Sequence, residues 1–292
     1  MFGVPVTYFY DFAGVPERLR PYIMADFFRA GAKHLVLTDE LIRQIMINPG
    51  LADALLKEMA DNGLSFCDAH APFNDNRNLT CPDPAKRGIM LARLEMVIDI
   101  ATYMQAGTVT VHIGDNRNSA EKATEKHKMW IKDTIREILP LLEKRKIVMC
   151  LENIWHSPAT PEFLNELMEE FPSPYLGICY DSGHANIMDK GREYATGAAY
   201  NSWLAIENCK QPPWDDRILE KLLPNIVNCH LHDNSGWHDS HLLPGEGNID
   251  WKKTVGLLKK APRLKVVQAE VIIPKEHSIS DLVASFDRLM QM

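Results

Sequence analysis

Histidines and carboxylates crowd the stretch from Ile226 to Trp251, which reads IVNCHLHDNSGWHDSHLLPGEGNIDW. An apolar, β-branched start leads into His230-Leu231-His232-Asp233. Asp239-Ser240-His241, a Gly-Glu-Gly turn and Asp250 follow, and no helical period spaces them. Imidazole nitrogens and carboxylate oxygens at the end of a strand form the donor set of a divalent ion. The same signature recurs upstream and downstream. His70, His112, Glu152, Asp181 with His184 three residues on, and Glu270 each close a short apolar run. Glu152 and Glu270 resist a purely structural reading, because a carboxylate after an apolar strand is costly unless paired or metal-bound. By strand alternation His230 and His232 face the same side, so geometry leaves open which of them is the ligand. His34, His127, His156 and His277 read as ordinary histidines.

The elements that must position these residues follow from punctuation and pattern. Apolar runs predict strands at Val4 to Tyr10, Lys33 to Leu37, Leu64 to Ala69, Thr108 to Val111, Ile147 to Leu151, Leu176 to Tyr180, Ile226 to Cys229 and Val266 to Ala269. Their apolar character is continuous rather than alternating, as in strands covered on both faces. Helices are expected over 16–30, 49–62, 84–105, from Ser119 to about Lys144, 160–171, 251–260 and 278–289, with one or two more within 185–224. Gly31, Gly63 and Gly107 are the stops, and Thr160 and Asp250 the N-caps. Thr38-Asp39-Glu40 reads as a loop. Eight βα units imply parallel strands with crossover helices, and the length favours a closed (β/α)8 TIM barrel formed by residues 1–292 as one domain. In such a barrel the strand ends converge on one face, bringing His70, His112, Glu152, Asp181, His184, His230, Asp239, His241 and Glu270 together.

Bulk numbers set the limits. The chain has 292 residues, 46% hydrophobic and 24% charged, an ordinary globular composition. A net charge of −7 and a pI near 5.9 argue against nonspecific nucleic-acid or membrane binding. The N-terminus lacks a signal-peptide pattern, and no apolar run is long enough for a transmembrane helix. The six cysteines form no CxxC pair, and a reduced cytoplasmic protein is the expectation.

These motifs carry a resemblance. HAPF at His70, VHIG at Val111, LEN at Leu151, DSGHAN at Asp181, CHLHDN at Cys229, DSHLLPGEGNIDW at Asp239 and QAEV at Gln268 appear in order at successive strand ends. In this the chain resembles the xylose isomerase-like barrel superfamily, also known as AP endonuclease family 2, and within it the sugar phosphate isomerase/epimerase branch. The resemblance runs from His70 to the end. It implies a single ion on Glu152, Asp181, His230 and Glu270, selects His230 over His232, and makes Glu152 and Glu270 the acid/base pair. The larger site of endonuclease IV, in which nine ligands hold three zinc ions, is also filled, by those four residues with His70, His112, His184, Asp239 and His241.

Two functional readings follow. One is a sugar or sugar-phosphate isomerase or epimerase. An ion chelated by adjacent oxygens acidifies a C–H bond, one glutamate removes the proton, and the other returns it to the enediolate held at the ion. Trp155, Trp237 or Phe73 would pack on the sugar. The other is an apurinic-site endonuclease or phosphoesterase with a multinuclear zinc site. Gripping a duplex requires basic loops, and those expected at the active face offer only Arg77, Arg117 and Lys275. The sugar reading is therefore preferred: a carbohydrate substrate, no nucleic acid, no membrane, and one to three divalent ions, Zn2+ or Mn2+. A homo-oligomer is compatible with the sequence. A metal-binding barrel without catalysis is the third, plainest reading.

Overall fold

Parallel strands β1 (Val6–Tyr8), β2 (His34–Leu37), β3 (Ser65–His70), β4 (Thr108–Val111), β5 (Val148–Glu152), β6 (Leu176–Asp181), β7 (Ile226–Leu231) and β8 (Val266–Ala269) pair in sequence order. β8 pairs with β1, which closes the barrel. The structure is a computed structural model and describes residues 3–73, 79–81, 83–114, 124–204, 206, 209–273 and 275–292. The expected eight-stranded TIM barrel is thus the observed fold. Strand register aligns the chemistry directly: Asp181 pairs with His230, and Glu152 with Cys179.

The helices are α1 (Arg20–Ala30), α2 (Asp39–Ile47), α3 (Leu51–Asp61), α4 (Pro84–Tyr103), α5 (Thr124–Arg145), α6 (Pro161–Glu170), α7 (Ser182–Lys190), α8 (Ala198–Trp203), α9 (Ile218–Leu222), α10 (Trp251–Leu258) and α11 (Ile279–Gln291). α2 departs from the expected loop. Thr38 Oγ1 accepts the backbone N–H of Leu41, and Leu41, Ile42 and Ile45 turn inward, so the segment is a capped amphipathic helix. The expected helix start at Ser119 lies outside the described residues. So do Arg77, Arg117 and the rest of the 74–78 loop. The expected caps Thr160 and Asp250 are in place, and Gly31 closes α1 at φ +105°.

One apolar core packs between sheet and helices. A small separate cluster of Val148, Cys150, Cys179 and Val227 lies below Glu152, on the face of β5 that Glu152 shares. All six cysteines are free. Among the described residues no helix is long and apolar enough to cross a membrane.

Candidate metal centre

Every candidate ligand reaches one end of the barrel, most of them at or beside the last residue of a strand, His184 from α7 and Asp239 and His241 from the loop after β7. His70 and Glu152 are themselves the last residues of β3 and β5. Asp181 ends β6 and also caps α7: its Oδ1 accepts the backbone N–H of His184 at 2.6 Å, and this places His184 one turn away. Asn153 braces the same strand end, donating from Nδ2 to the Asp181 carbonyl and accepting the Asp181 N–H. One layer down, Asp68 is wholly buried and accepts hydrogen bonds from Thr108 and Asn228. Burial pushes its carboxyl pKa up.

Four residues form the centre. Ligand atoms of Glu152, Asp181, His230 and Glu270 all lie within 4.8 Å of one another. Nδ1 of His230 stands 3.0 Å from Glu270 Oε2, 3.4 Å from Glu152 Oε1 and 3.9 Å from Asp181 Oδ2. On one side, Nε2 atoms of His112 and His70 approach Glu152 Oε2 at 3.0 and 3.6 Å. On the other side Asp239 gathers three imidazoles. His241 Nε2 is 2.9 Å and His184 Nε2 3.4 Å from its Oδ2, and His232 Nε2 is 3.7 Å from its Oδ1.

The donors are oriented as metal ligands are. His70, His184 and His241 use Nδ1 to reach a backbone carbonyl, of Ala71, Asn153 and Glu270 respectively, at 2.8 to 2.9 Å. That bond fixes the tautomer and turns Nε2, with its lone pair, toward the carboxylates. Glu152 Oε2, both ring nitrogens of His230 and Asp239 Oδ1 are buried without a hydrogen bond among the described residues. Buried polar atoms of this kind are rarely left unpaired. A cation is the partner that suits carboxylate oxygens and imidazole lone pairs together, so the donor set fits a divalent ion.

The electrostatics agree. Burial alone would raise the Glu152 carboxyl, but His112 and His230 outweigh it and hold it well below the usual range. Burial likewise works against Asp239, and His184 and His241 hold it well below. Burial opposes charge on His230, but Cys179, Glu270 and Glu152 raise it well above an ordinary imidazole. Burial also opposes charge on His241, which Asp239 lifts to about 9. His112, where burial dominates, is lowered instead. Without a cation, protons on imidazoles supply the positive charge that the carboxylates demand.

Two neighbours of His230 are distinguished by their contacts. His232 is wholly buried, bonds Asp181 Oδ2 through Nε2 at 3.1 Å, and stacks on His241 at 4.0 Å between centroids. It also forms a group of possible ligands with His241 and Glu270. Asp233 is structural: it accepts the backbone N–H groups of Asn234, Gly245 and Ile249 and the indole N–H of Trp251. Of the aromatics, Phe73 stacks on His112 and Trp155 meets His184 edge-on. The ring neighbours of Trp237 are Tyr194 and His238, away from these ligands.

Comparison with known proteins places this geometry in context. The family model for xylose isomerase-like TIM barrels matches residues 26–286. An uncharacterized protein of Methanocaldococcus jannaschii is 28% identical over 65% of this chain and 59% of its own length. A protein of Halorhodospira halophila named "Probable endonuclease 4" is 27% identical over 70% of this chain and 66% of its own. The chain thus spans roughly three fifths to two thirds of these relatives. Among solved structures, a D-tagatose 3-epimerase-like protein superposes with a TM-score of 0.68 at 23% identity, covering 89% of this chain and 88% of that one. The 3-keto-D-glucoside 4-epimerase of E. coli gives 0.69 at 14% identity, over 99% and 100%. The IOLI protein with a bound zinc atom gives 0.67 at 14% identity, over 97% and 96%. At these identities the superpositions speak for the fold. The family match covers most of the chain, which therefore belongs to the xylose isomerase-like TIM-barrel family.

Proposed function

We propose that the protein is a divalent-metal-dependent isomerase or epimerase of a sugar or sugar phosphate, with Glu152 and Glu270 as its proton-transfer pair. One observation carries the reading: the two carboxylates converge on His230 Nδ1, at 3.4 and 3.0 Å, beside Asp181. A divalent ion bound by these four residues, Zn2+ or Mn2+ by its donor types, supplies Lewis-acid polarisation of adjacent carbonyl and hydroxyl oxygens.

The protein's own residues do the rest. Among the described residues the Glu270 side chain, 12% exposed, has His230 alone within 4 Å of its carboxylate, whereas Glu152 is 1% exposed and lies against His70, His112, His184 and His230. Glu270 is therefore the carboxylate with room to take a proton from substrate carbon. Glu152 faces it and returns the proton at the opposite face or the neighbouring atom. Phe73 and Trp155, seated against His112 and His184, are the aromatic faces beside the ligands on which a sugar would pack.

A second reading, a multinuclear phosphodiesterase of the endonuclease IV kind, is favoured by one specific observation. His70 and His112 form a group of their own with Glu152, and His184 and His241 flank Asp239. Against it, no lysine or arginine pairs with the site's carboxylates among the described residues.

The test has two parts. Metal content is measured on protein purified without chelator, for wild type and for His70→Ala and His241→Ala. Ketoses and their phosphates are then incubated in deuterated water and followed by NMR. About one ion per chain in all three proteins, with substrate C–H exchange, supports the isomerase. Two or three zinc ions that fall in the variants, with cleavage of abasic DNA and no sugar exchange, would replace it with the phosphodiesterase.

A further inference from the structure

The barrel interior is polar one layer beneath the metal centre, and the catalytic reading leaves that layer unused. Side chains alternate between the two faces of a strand, so a residue two before a ligand shares its face. Asp68, Asn228 and Gln268 stand two before His70, His230 and Glu270, and all three are 0% exposed. The bonds of Asn228 show that this face is the interior. Its Nδ2 crosses from β7 to Asp68 Oδ2 on β3 at 3.0 Å and to Thr110 Oγ1 on β4 at 3.1 Å. Bulky branched residues ordinarily fill such a layer.

Gln268 is the anomaly in it. Both ends of its carboxamide, Oε1 and Nε2, are buried and bonded to nothing among the described residues, and Asn228 Oδ1 is in the same state. Buried amides are rarely left so. In the strand register Gln268 lies between His230 on β7 and Thr7 on β1. His230 has the complementary need. Its Nδ1 faces the carboxylates, so a neutral ring that ligates an ion through Nδ1 carries its proton on Nε2. That Nε2 is also buried without a hydrogen bond among the described residues. The Cys179 thiol stands near the ring, but sulfur is a weak acceptor. Ligating histidines almost always give this second N–H to an oxygen, and the bond orients the ring.

We infer that this layer binds water and that Gln268, acting through it, positions His230 for the ion. The role rests on the metal-dependent reading above. Donors and acceptors balance: water accepts from His230 Nε2–H and Gln268 Nε2–H and donates to Gln268 Oε1 and Asn228 Oδ1. Each of these atoms then has a partner, and each water makes the two to four bonds usual for a buried one. The neighbours leave space for it, since Thr110, Cys150, Cys179 and Asn228 are shorter than the leucine or isoleucine common in such a layer. With Nε2–H held from below, the ring keeps one tautomer and one orientation, and Nδ1 presents its lone pair between Glu152 and Glu270. Gln268 touches neither ion nor substrate; it is a positioning residue.

Gln268→Met keeps the length of the side chain and removes both of its hydrogen-bonding ends. High-resolution crystal structures of the chelated wild type and variant look for the water directly, and competition against a chromophoric chelator reads the Zn2+ affinity of each. In the wild type the expected result is ordered water bonded to Gln268, Asn228 and Nε2 of His230. The variant should lose the water beside position 268 and bind Zn2+ at least about tenfold more weakly. Its melting temperature in chelator should stay at the wild-type value, because the amide is replaced by an apolar group of similar shape. A dry layer in the wild type, or an unchanged Zn2+ affinity in the variant, would overturn the inference. So would a weaker affinity accompanied by an equal loss of stability in chelator, which marks a merely structural role. A wild type that binds no divalent ion would sink the metal-dependent function and the positioning role together, whereas wild-type Zn2+ binding that Gln268→Met leaves intact overturns the positioning role alone.

Discussion

Nδ1 of His230 lies 3.0 Å from Oε2 of Glu270, yet the pair is not aligned as a hydrogen bond. Proximity without alignment is the signature of donors aimed at a shared point rather than at each other. The same holds for Glu152 Oε2, which has imidazole nitrogens at 3.0 and 3.6 Å and accepts from neither. Around them His70, His184 and His241 are each held by a bond on the far side of the ring.

The two glutamates should differ in what they do for the metal-free fold. Glu152, itself 1% exposed, lies among four imidazoles, and Glu270 is partly open to water. Removing one partner of a buried ion pair is strongly destabilising, because a charge stays behind unpaired. Urea unfolding of chelator-treated protein should show Glu152→Gln destabilised by about 3 kcal/mol, and Glu270→Gln by about 1 kcal/mol. Equal losses would mean that Glu152 does not carry the charge balance of the centre.

Stability of the chelated protein should also depend on pH in a stated direction. His184, His230 and His241 are raised in the folded state, His241 to about 9. Their contribution is complete below the ordinary imidazole value of about 6.5 and is lost as pH rises through the folded values. Glu152 and Asp239 are depressed, so theirs is complete above about 4.5 and is lost as pH falls. Thermal melts of chelated protein should peak between those limits and decline toward pH 9. Added Zn2+ should stabilise more at pH 8.5 than at pH 6, because it binds deprotonated imidazole. A flat profile from pH 6 to pH 9 would contradict the charge assignment.

Gly183 is required by its neighbour rather than by its backbone. A Cβ at this position would lie 2.0 Å from Cε1 of the buried His232 ring. Gly183→Ala should therefore push His232 off Asp181 and cost about 1–3 kcal/mol. Gly256→Ala in α10, where a Cβ meets nothing within 4 Å, is the control, expected to stabilise by up to about 1 kcal/mol. Equal melting temperatures for the two variants would disprove the packing argument.

What the sequence could and could not disclose follows from the range of the interactions involved. Strands covered on both faces are legible as apolar runs, and polar residues closing them are legible as strand ends. Those features carried the barrel and brought all the candidate ligands to one face. α2 was hidden because Thr38-Asp39-Glu40 is at once a loop composition and a helix N-terminus, and inward packing of Leu41 and Ile45 decides between them. Alternation could not separate His230 from His232. The distinction depends on the space that Gly183 leaves, some fifty residues away in the chain. Asp233 was unreadable for a similar reason, since three of its donors lie 12 to 18 residues further on.

Asp233 gives the last prediction. It gathers the N–H groups of Asn234, Gly245 and Ile249 and the Trp251 indole, while its own backbone pairs with Leu242. The loop closed this way carries Asp239 and His241 to the metal centre. Hydrogen bonds to a buried carboxylate contribute about 1.5–3 kcal/mol each, and their donors lose solvation if left unpaired. Asp233→Ala should cost at least about 3 kcal/mol, with the loss concentrated in this loop. Hydrogen exchange should then quicken across residues 234–250 while β5 and β6 stay protected. Uniformly faster exchange over the whole barrel would mean that Asp233 supports the global fold rather than this loop.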